Sequence, residues 1–187
     1  MSEGGGVIAY QGEPGAFSHE ACLAFFPDYE PRACATFQGA VDAVERRMAD
    51  LALLPVENSI AGPVPEMEAI LRATDLKILG ERTWPIRLQL LGVPGAELEH
   101  VRVVRSHPMA LKQCTRLLAD LGAKAEPVHD TAGAARALSQ APDPHVAAVA
   151  SAKAGQLYGL QVLRANIEDV HSNATRFVVL AREQAPA

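Results

Sequence analysis

The chain alternates short apolar runs with stretches of helical periodicity, and this alternation restricts its fold more than any other feature. Apolar runs at Val7–Tyr10, Leu51–Val56 and Val146–Ala150 predict buried strands. The apolar spacing also predicts one helix from about residue 108 to 121, ended by Gly122. Strands that alternate with helices favour an α/β fold with mostly parallel sheets and helices on both faces. Ligands of such folds bind at the carboxyl ends of the strands.

Several local signals add detail to this prediction. Asp130 and Ser151 follow predicted strands and are good N-cap residues for the helices after them. Ser106 is the expected cap of the helix that begins near Pro108. The segment Lys77–Val93 contains two extended runs around a Trp-Pro pair, and we expect the chain to cross there between two lobes.

Charge and cysteine content exclude several classes of protein. The net charge is −5 and no basic run is present, so nucleic acid is not an expected partner. Cys22, Cys34 and Cys114 are too widely spaced to suggest a disulfide framework or a zinc site. No apolar stretch has the length of a signal peptide or a membrane span, so we expect a cytoplasmic protein that does not bind membranes.

Two polar segments in the first half of the chain supply candidate binding residues. The turn at residues 12–18 precedes a predicted helix, so Gly15 and Ser18 are candidates for a cradle that binds a carboxylate. A plain tight turn is the alternative. Glu57, Asn58 and Ser59 follow a strand and can point into a cleft, or they can form a polar loop that caps the next helix.

Two further segments lie in the second half of the chain. Ser106 can bind a ligand at the start of its helix, and Gln113 is expected to face the cleft. His107 is either a general acid or a structural histidine.

The last segment, residues 173–177, places Thr175 beside Arg176, and a cation next to a hydroxyl suits a substrate that carries carboxylates. Alternatively, Arg176 pairs with a surface acid, for which Glu168 and Asp169 are candidates, and Thr175 simply favours a strand.

These polar segments contain no Ser-His-Asp order, no metal-ligand spacing and no phosphate-binding loop. Their hydroxyls, amides, single arginine and glycine turns are suited to positioning and polarising a small polyanion.

Together the segments resemble the prephenate dehydratase family over roughly residues 7–181. Asn-Ala-Thr-Arg-Phe at 173–177 matches the family's strongest signature. Glu-Asn-Ser at 57–59 with Gly62, and Ser-His-Pro at 106–108 with Gln113, match two more motifs. The glycine turn at 12–18 matches a fourth, with Phe17 where the family usually has tyrosine.

The resemblance implies a two-lobed α/β fold similar to type II periplasmic binding proteins, with a cleft between the lobes. Lobe one is expected at about 1–80 plus 171–187 and lobe two at about 81–170. The implied catalytic residues are Thr175, Ser106, Asn58 and Gln113, and the implied substrate-binding residues are Arg176, Phe177, Gly15, Ser18, Glu57, Ser59 and His107.

The activity implied by the resemblance is prephenate dehydration, a carbon–oxygen lyase reaction that yields phenylpyruvate for phenylalanine biosynthesis. The resemblance implies a homodimer and no metal or organic cofactor. Arogenate dehydration and a non-catalytic module that binds small anions are the alternatives. Family members usually carry a C-terminal ACT regulatory domain that binds phenylalanine. The sequence stops about ten residues past Phe177, so it either lacks that control naturally or is an excised catalytic region, and inhibition through that domain is not expected here.

Overall fold

Two β-sheets organise the chain, each in its own compact unit. The structure is a computed structural model and describes residues 5–183. Within this range the first unit comprises residues 5–13, 17–85 and 174–183, and the second comprises residues 14–16 and 86–173. The chain therefore passes between units at Pro85–Ile86, inside the predicted crossing segment, and returns at Asn173–Ala174. The predicted lobe-one residues 1–4 and 184–187 lie outside the described residues.

The sheet of the first unit has six strands. They are β1 (Val7–Gln11), β2 (Glu30–Cys34), β3 (Leu51–Asn58), β4 (Gly62–Pro63), β5 (Lys77–Pro85) and β11 (Ala174–Ala181). The main order is β2-β1-β3-β11-β5, and β4 pairs with β3. Strands β2, β1 and β3 run parallel, whereas β11 is antiparallel to both of its neighbours.

Side chains on alternate positions of this sheet enter two separate hydrophobic clusters, one on each face. The helices of the unit are α1 (Phe17–Phe25), α2 (Phe37–Glu45) and α3 (Pro65–Ala73). On β11, Phe177 and Val179 join the cluster of α1, whereas Val178 and Leu180 join the cluster of α2 and α3. The predicted placement of helices on both faces is therefore confirmed for this unit.

The second unit is built around a five-stranded sheet in the order β10-β6-β9-β7-β8. Its strands are β6 (Gln89–Gly92), β7 (Val103–Ser106), β8 (Lys124–Pro127), β9 (Val146–Ala150) and β10 (Gln161–Arg164). Its helices are α4 (Pro108–Lys112), α5 (Thr115–Leu121), α6 (Thr131–Gln140) and α7 (Ala152–Leu157), with a short 3-10 helix at Leu98–His100. Helices α6 and α7 contribute to one hydrophobic cluster with β6 and β9, and α4 lies against β7, β8 and β9.

The α/β fold class is confirmed, but both sheets are mixed rather than mostly parallel. In the second unit, β8, β7 and β9 are parallel, and β6 and β10 continue the sheet with antiparallel pairs. In the first unit β4 and β11 run antiparallel to β3, and β5 forms an antiparallel pair with β11. Strands β5 and β11 lead out of and back into the first unit, so their direction follows from the chain crossing rather than from a βαβ repeat.

The predicted helix over residues 108–121 is wrong in one respect, because the structure divides it into α4 and α5. Asp169 provides the N-terminal hydrogen bonds with which α5 begins as a separate helix. Its carboxylate accepts bonds from the backbone nitrogens of Thr115 at 2.8 Å and Arg116 at 3.2 Å. These bonds satisfy amides that would otherwise be unpaired at a helix N-terminus. The predicted C-cap glycine is confirmed, since Gly122 has a left-handed φ of 59°.

Two of the three predicted N-caps are confirmed. Asp130 accepts a bond from the backbone nitrogen of Gly133, and Ser151 accepts one from Ala154 at 2.9 Å. The third is wrong, because His107 rather than Ser106 caps α4.

Candidate active site

Thr175 and Asn58 form the polar centre of the first unit. Thr175 lies directly opposite Asn58 on the neighbouring strand, and the Asn58 amide donates to the Thr175 hydroxyl over 3.0 Å. Thr175 is buried, with 9% of the residue exposed. Within residues 5–183, its hydroxyl accepts this one bond and donates to no protein acceptor. The hydroxyl proton is therefore available to a ligand that reaches it.

The loop after β3 fixes the orientation of the Asn58 amide. Its carbonyl oxygen accepts bonds from the backbone nitrogens of Ile60 at 3.0 Å and Ala61 at 2.9 Å. Its amide nitrogen also donates to the Ala174 carbonyl over 3.2 Å. The turn closes at Gly62, whose φ of 83° suits glycine. Because the carbonyl faces the turn, the amide group has to face Thr175.

Arg176 belongs to a second polar group, which lies on the opposite face of the same sheet. Its guanidinium donates to Glu57 and to Glu81, in both cases over 2.8 Å. Its hydrogen bonds to Glu57 and then to Glu81 raise the pKa of Arg176 above its usual value. The predicted partners Glu168 and Asp169 are therefore wrong, although the pairing itself is present. Side chains alternate along a strand, so Arg176 projects away from the face that carries Thr175.

The remaining predicted residues of the first unit have structural contacts. Phe177 is 1% exposed and packs in the core cluster of α1. Ser18 is buried in α1. Ser59 exchanges two bonds with Ala174, one through its hydroxyl at 3.0 Å and one through its backbone nitrogen at 2.9 Å. Packing and strand closure account for these contacts, and a contact with substrate remains a prediction for each of the three.

Ser106 and His107 lie at the end of β7 in the second unit. Ser106 is fully buried, and its hydroxyl donates to the Val149 carbonyl over 2.6 Å. The Nδ1 atom of His107 accepts a bond from the backbone nitrogen of Met109 at 3.1 Å. This contact directly supports the interpretation of His107 as a structural residue at the start of a helix. A role for Ser106 in catalysis stays a prediction.

Gln113 has a partner that the sequence did not single out. Its side-chain oxygen accepts a bond of 2.6 Å from the amide of Asn173, which is only 1% exposed. The backbone oxygen of Asn173 also accepts a bond from Ile86, so the two ends of the long segment 86–173 of the second unit are paired. Asn173 belongs to the polar segment 173–177, and its membership of that segment could have identified it as a site residue from the sequence. Asn173 therefore joins the candidate residues.

Glu168 is a second residue that the sequence did not assign correctly. Glu168 is 3% exposed, and its carboxylate accepts a bond from the backbone nitrogen of Leu88 over 2.9 Å. The guanidinium of Arg87 lies 3.5 Å away and also donates to the His171 carbonyl at 2.6 Å. These bonds tie the start of β6 to the chain that leads back to β11, so Glu168 is a structural residue of the second unit.

The glycine turn before α1 packs against α7. Gly15 has a φ of 93°, and its carbonyl accepts a bond from the Ser151 hydroxyl. A Cβ atom added to Gly15 would lie 2.9 Å from the Cα atom of Ala154. The Tyr158 hydroxyl donates to the Pro14 carbonyl over 2.6 Å. The glycine is therefore required for a tight turn, and binding of a carboxylate here remains a prediction.

The structure thus brings together some predicted residues and not others. Asn58 contacts Thr175, and Glu57 contacts Arg176. The predicted residues of the second unit are Gly15, Ser106, His107 and Gln113, each with its own partner there.

None of the helices in residues 5–183 combines the length and the apolar character that a membrane span requires.

Comparisons with known proteins agree with the motifs. A family model described as prephenate dehydratase matches residues 8–185. Arogenate dehydratase 1 of Petunia hybrida is 46% identical over 178 residues, covering 94% of this chain and 42% of that protein. The bifunctional N-acyl-homoserine lactone acylase/prephenate dehydratase of Komagataeibacter europaeus is 40% identical over 179 residues, covering 96% of this chain and 64% of that protein. The chain therefore spans less than two thirds of either relative.

A solved structure shows the same architecture. The prephenate dehydratase of Arthrobacter aurescens, solved in complex with L-Phe, matches with a TM-score of 0.87 and 29% identity. The match covers 96% of this chain and 61% of that one. On the family model and these relatives together, the chain belongs to the prephenate dehydratase family.

Proposed function

We propose that the chain catalyses the decarboxylation and dehydration of prephenate to phenylpyruvate, a step of phenylalanine biosynthesis. Prephenate carries a ring carboxylate and, across the ring, a hydroxyl group. When carbon dioxide leaves, the electrons of the broken carbon–carbon bond enter the ring and the carbon–oxygen bond breaks. The departing hydroxide takes up one proton and becomes water. The ring becomes aromatic, which supplies the driving force, so the protein has to orient the substrate and stabilise the leaving group.

The observation that carries this proposal is the bond from Asn58 to the Thr175 hydroxyl. Because Asn58 donates to Thr175 Oγ1, the threonine proton can point to the leaving oxygen of the substrate. A donor aimed at charge that develops in the transition state stabilises that state more than the bound substrate. Threonine is too weak an acid to be the final proton source, and water is no stronger, so we assign that role to an acid of the buffer whose proton reaches the departing hydroxide through the solvent.

The proposal narrows the alternatives for the proton source and for supporting groups. Glu57 accepts bonds from Arg176 on the other face of the sheet, which argues against it as the proton donor. Asn58 is the supporting group that contacts Thr175 directly. Ser106 and Gln113 remain predicted contributors, and replacement of each with alanine tests them by its effect on kcat.

Replacing Thr175 tests the function at its centre. We expect Thr175→Ala to lower kcat by about 10² to 10³ while KM changes little, because one well-placed donor is lost. Thr175→Ser keeps the hydroxyl and serves as the matched control, so it should retain most of the activity. Formation of phenylpyruvate from prephenate by the purified chain is the measurement. Near-normal turnover by Thr175→Ala would remove this residue from the mechanism.

Arogenate is the second candidate substrate, because the Petunia relative is named arogenate dehydratase. The same loss of carbon dioxide and water would then give phenylalanine. A comparison of kcat/KM for prephenate and arogenate decides between them, and we expect the larger value for prephenate. Tight binding of prephenate without turnover would instead support the non-catalytic alternative. The predicted cytoplasmic location and homodimer are part of the proposal and await cell fractionation and measurement of the mass in solution.

A further inference from the structure

Trp84 lies directly opposite Thr175 on β5, on the side away from Asn58. Asn58, Thr175 and Trp84 therefore form a row across three adjacent strands. Directly opposed residues of an antiparallel pair share a face of the sheet, with Cβ atoms about 5 Å apart. Consistent with this, Trp84 packs against the same cluster as Phe177, on the face of α1.

Two contacts from α1 hold the indole of Trp84 in place. The ring of Phe25 meets it edge-on, with centroids 5.6 Å apart and an angle of 82° between the planes. The indole nitrogen donates to the Glu20 carboxylate over 3.5 Å. The side chain of Trp84 is nevertheless only partly buried, so part of the ring surface remains uncovered. An oriented and partly uncovered aromatic surface next to a hydroxyl is suited to a ligand that has a flat ring and a polar substituent.

We infer that Trp84 is the surface on which the substrate's six-membered ring rests while its hydroxyl meets Thr175. This inference rests on the proposed function and adds the residue that positions the ring. The cyclohexadiene ring is nearly flat and becomes aromatic in the reaction, so contact with the indole is kept from substrate to product. Such contact stabilises both states and should affect KM more than kcat.

Substitution of Trp84 provides the first test. We expect Trp84→Leu to raise KM by about tenfold, in line with the strength of a pair of stacked aromatic rings, and to change kcat much less than Thr175→Ala does. Trp84→Phe keeps a flat ring and should restore most of the affinity. A purely structural role would lower the melting temperature of both variants without this separation of KM from kcat, and that result would overturn the inference.

Fluorescence provides a second test that does not depend on turnover, because Trp84 is the only tryptophan in the sequence. The probe is 3-phenylpropanoate, an analogue of the product that does not absorb where tryptophan is excited. We expect it to change the Trp84 emission saturably in the unmodified chain. Propanoate, which has the same carboxylate without the ring, should leave the emission unchanged.

The outcomes separate this inference from the proposed function. Competitive inhibition by 3-phenylpropanoate without any change in emission would overturn the role of Trp84 and leave the dehydratase proposal intact. A saturable change in emission in a chain that never converts prephenate would support ring binding at Trp84 and overturn the dehydratase proposal.

Discussion

Thr175 and Arg176 are adjacent in the sequence but serve opposite faces of one sheet. The first accepts a bond from Asn58 on the face of α1, and the second is held between Glu57 and Glu81 on the face of α2 and α3. A motif that looks like one binding group in the sequence therefore divides into a candidate catalytic hydroxyl and an ion pair that connects three strands. Residue types alone predicted both groups, but only the strand geometry separates them.

Asn58→Asp reverses the hydrogen bond at Thr175 while it preserves the turn. An aspartate can still accept bonds from the backbone nitrogens of Ile60 and Ala61, but it has no N–H to donate. The threonine proton would then turn to the new carboxylate and away from the substrate. We expect kcat to fall by about 10². The melting temperature should fall because the bond to the Ala174 carbonyl is lost, but less than in Asn58→Ala, because the turn is kept. Asn58→Ala is the control, because it loses the turn as well and should also melt earlier.

If Asn58→Asp kept normal turnover, the direction of that hydrogen bond would be irrelevant to catalysis. The comparison is best made near neutral pH, where an aspartate is ionised and cannot donate.

Arg176→Gln tests whether this arginine anchors the substrate or connects strands. The Arg176 side chain lies on the other face of the sheet from Thr175 and pairs with two carboxylates. We therefore expect KM to change by less than about threefold. The melting temperature should fall slightly, since half-exposed ion pairs contribute little. Glu81→Gln is the matched control and should behave in the same way. A large rise in KM for Arg176→Gln alone would restore the anchor role that the sequence suggested.

At the scale of elements, prediction succeeded where a signal is local and failed where the signal lies far along the chain. Strand β9 has the predicted bounds, and α6 begins after its predicted cap Asp130. The break between α4 and α5 depends on Asp169, which is 54 residues away from Thr115. Strand β2, Glu30–Cys34, was not predicted, because its mixed sequence forms a strand only through pairing with β1. The bonds of Asn58 and Gln113 likewise depend on partners more than 50 residues away.

Gly15→Ala tests how tightly the turn before α1 is packed against α7. The added methyl group would require a left-handed φ and would collide with Ala154. We expect the free energy of unfolding to fall by about 2 kcal/mol or more in urea denaturation. Gly122→Ala is the matched control, because Gly122 also has a positive φ but has no atom within 4 Å of the added carbon. An equal loss for both variants would show that the close approach to Ala154 costs nothing.

At the scale of the whole molecule, each unit contains one deeply buried thiol. Cys22 lies in the first unit and Cys114 in the second, and burial raises the pKa of each to about 12. The acids Asp169 and Glu168 add to the rise at Cys114. Cys34 is only half-buried, and although burial raises its pKa too, nearby Arg32 opposes the rise. The chain therefore has two protected thiols and one that solvent reaches.

Thiol labelling checks this distribution. Only the thiolate reacts with a disulfide reagent, so we expect Cys34 to react first and the other two at least about tenfold more slowly at mildly alkaline pH. Mass spectrometry of peptides identifies the modified residue, and Cys34→Ser should abolish the fast phase. Fast labelling of Cys22 or Cys114 in the absence of denaturant would show that the corresponding core opens readily.

The position of β11 has a consequence for synthesis on the ribosome. Among residues 5–183 this strand is the last element in chain order, yet it lies between β3 and β5 in the sheet. Until residue 181 has left the ribosome, β5 has no strand to pair with. The edge of β3 that later pairs with β11 also keeps its backbone groups unpaired. Most of the second unit, by contrast, is translated as one uninterrupted stretch, residues 86–173. The first sheet therefore cannot complete its pairing until this interior strand has been translated.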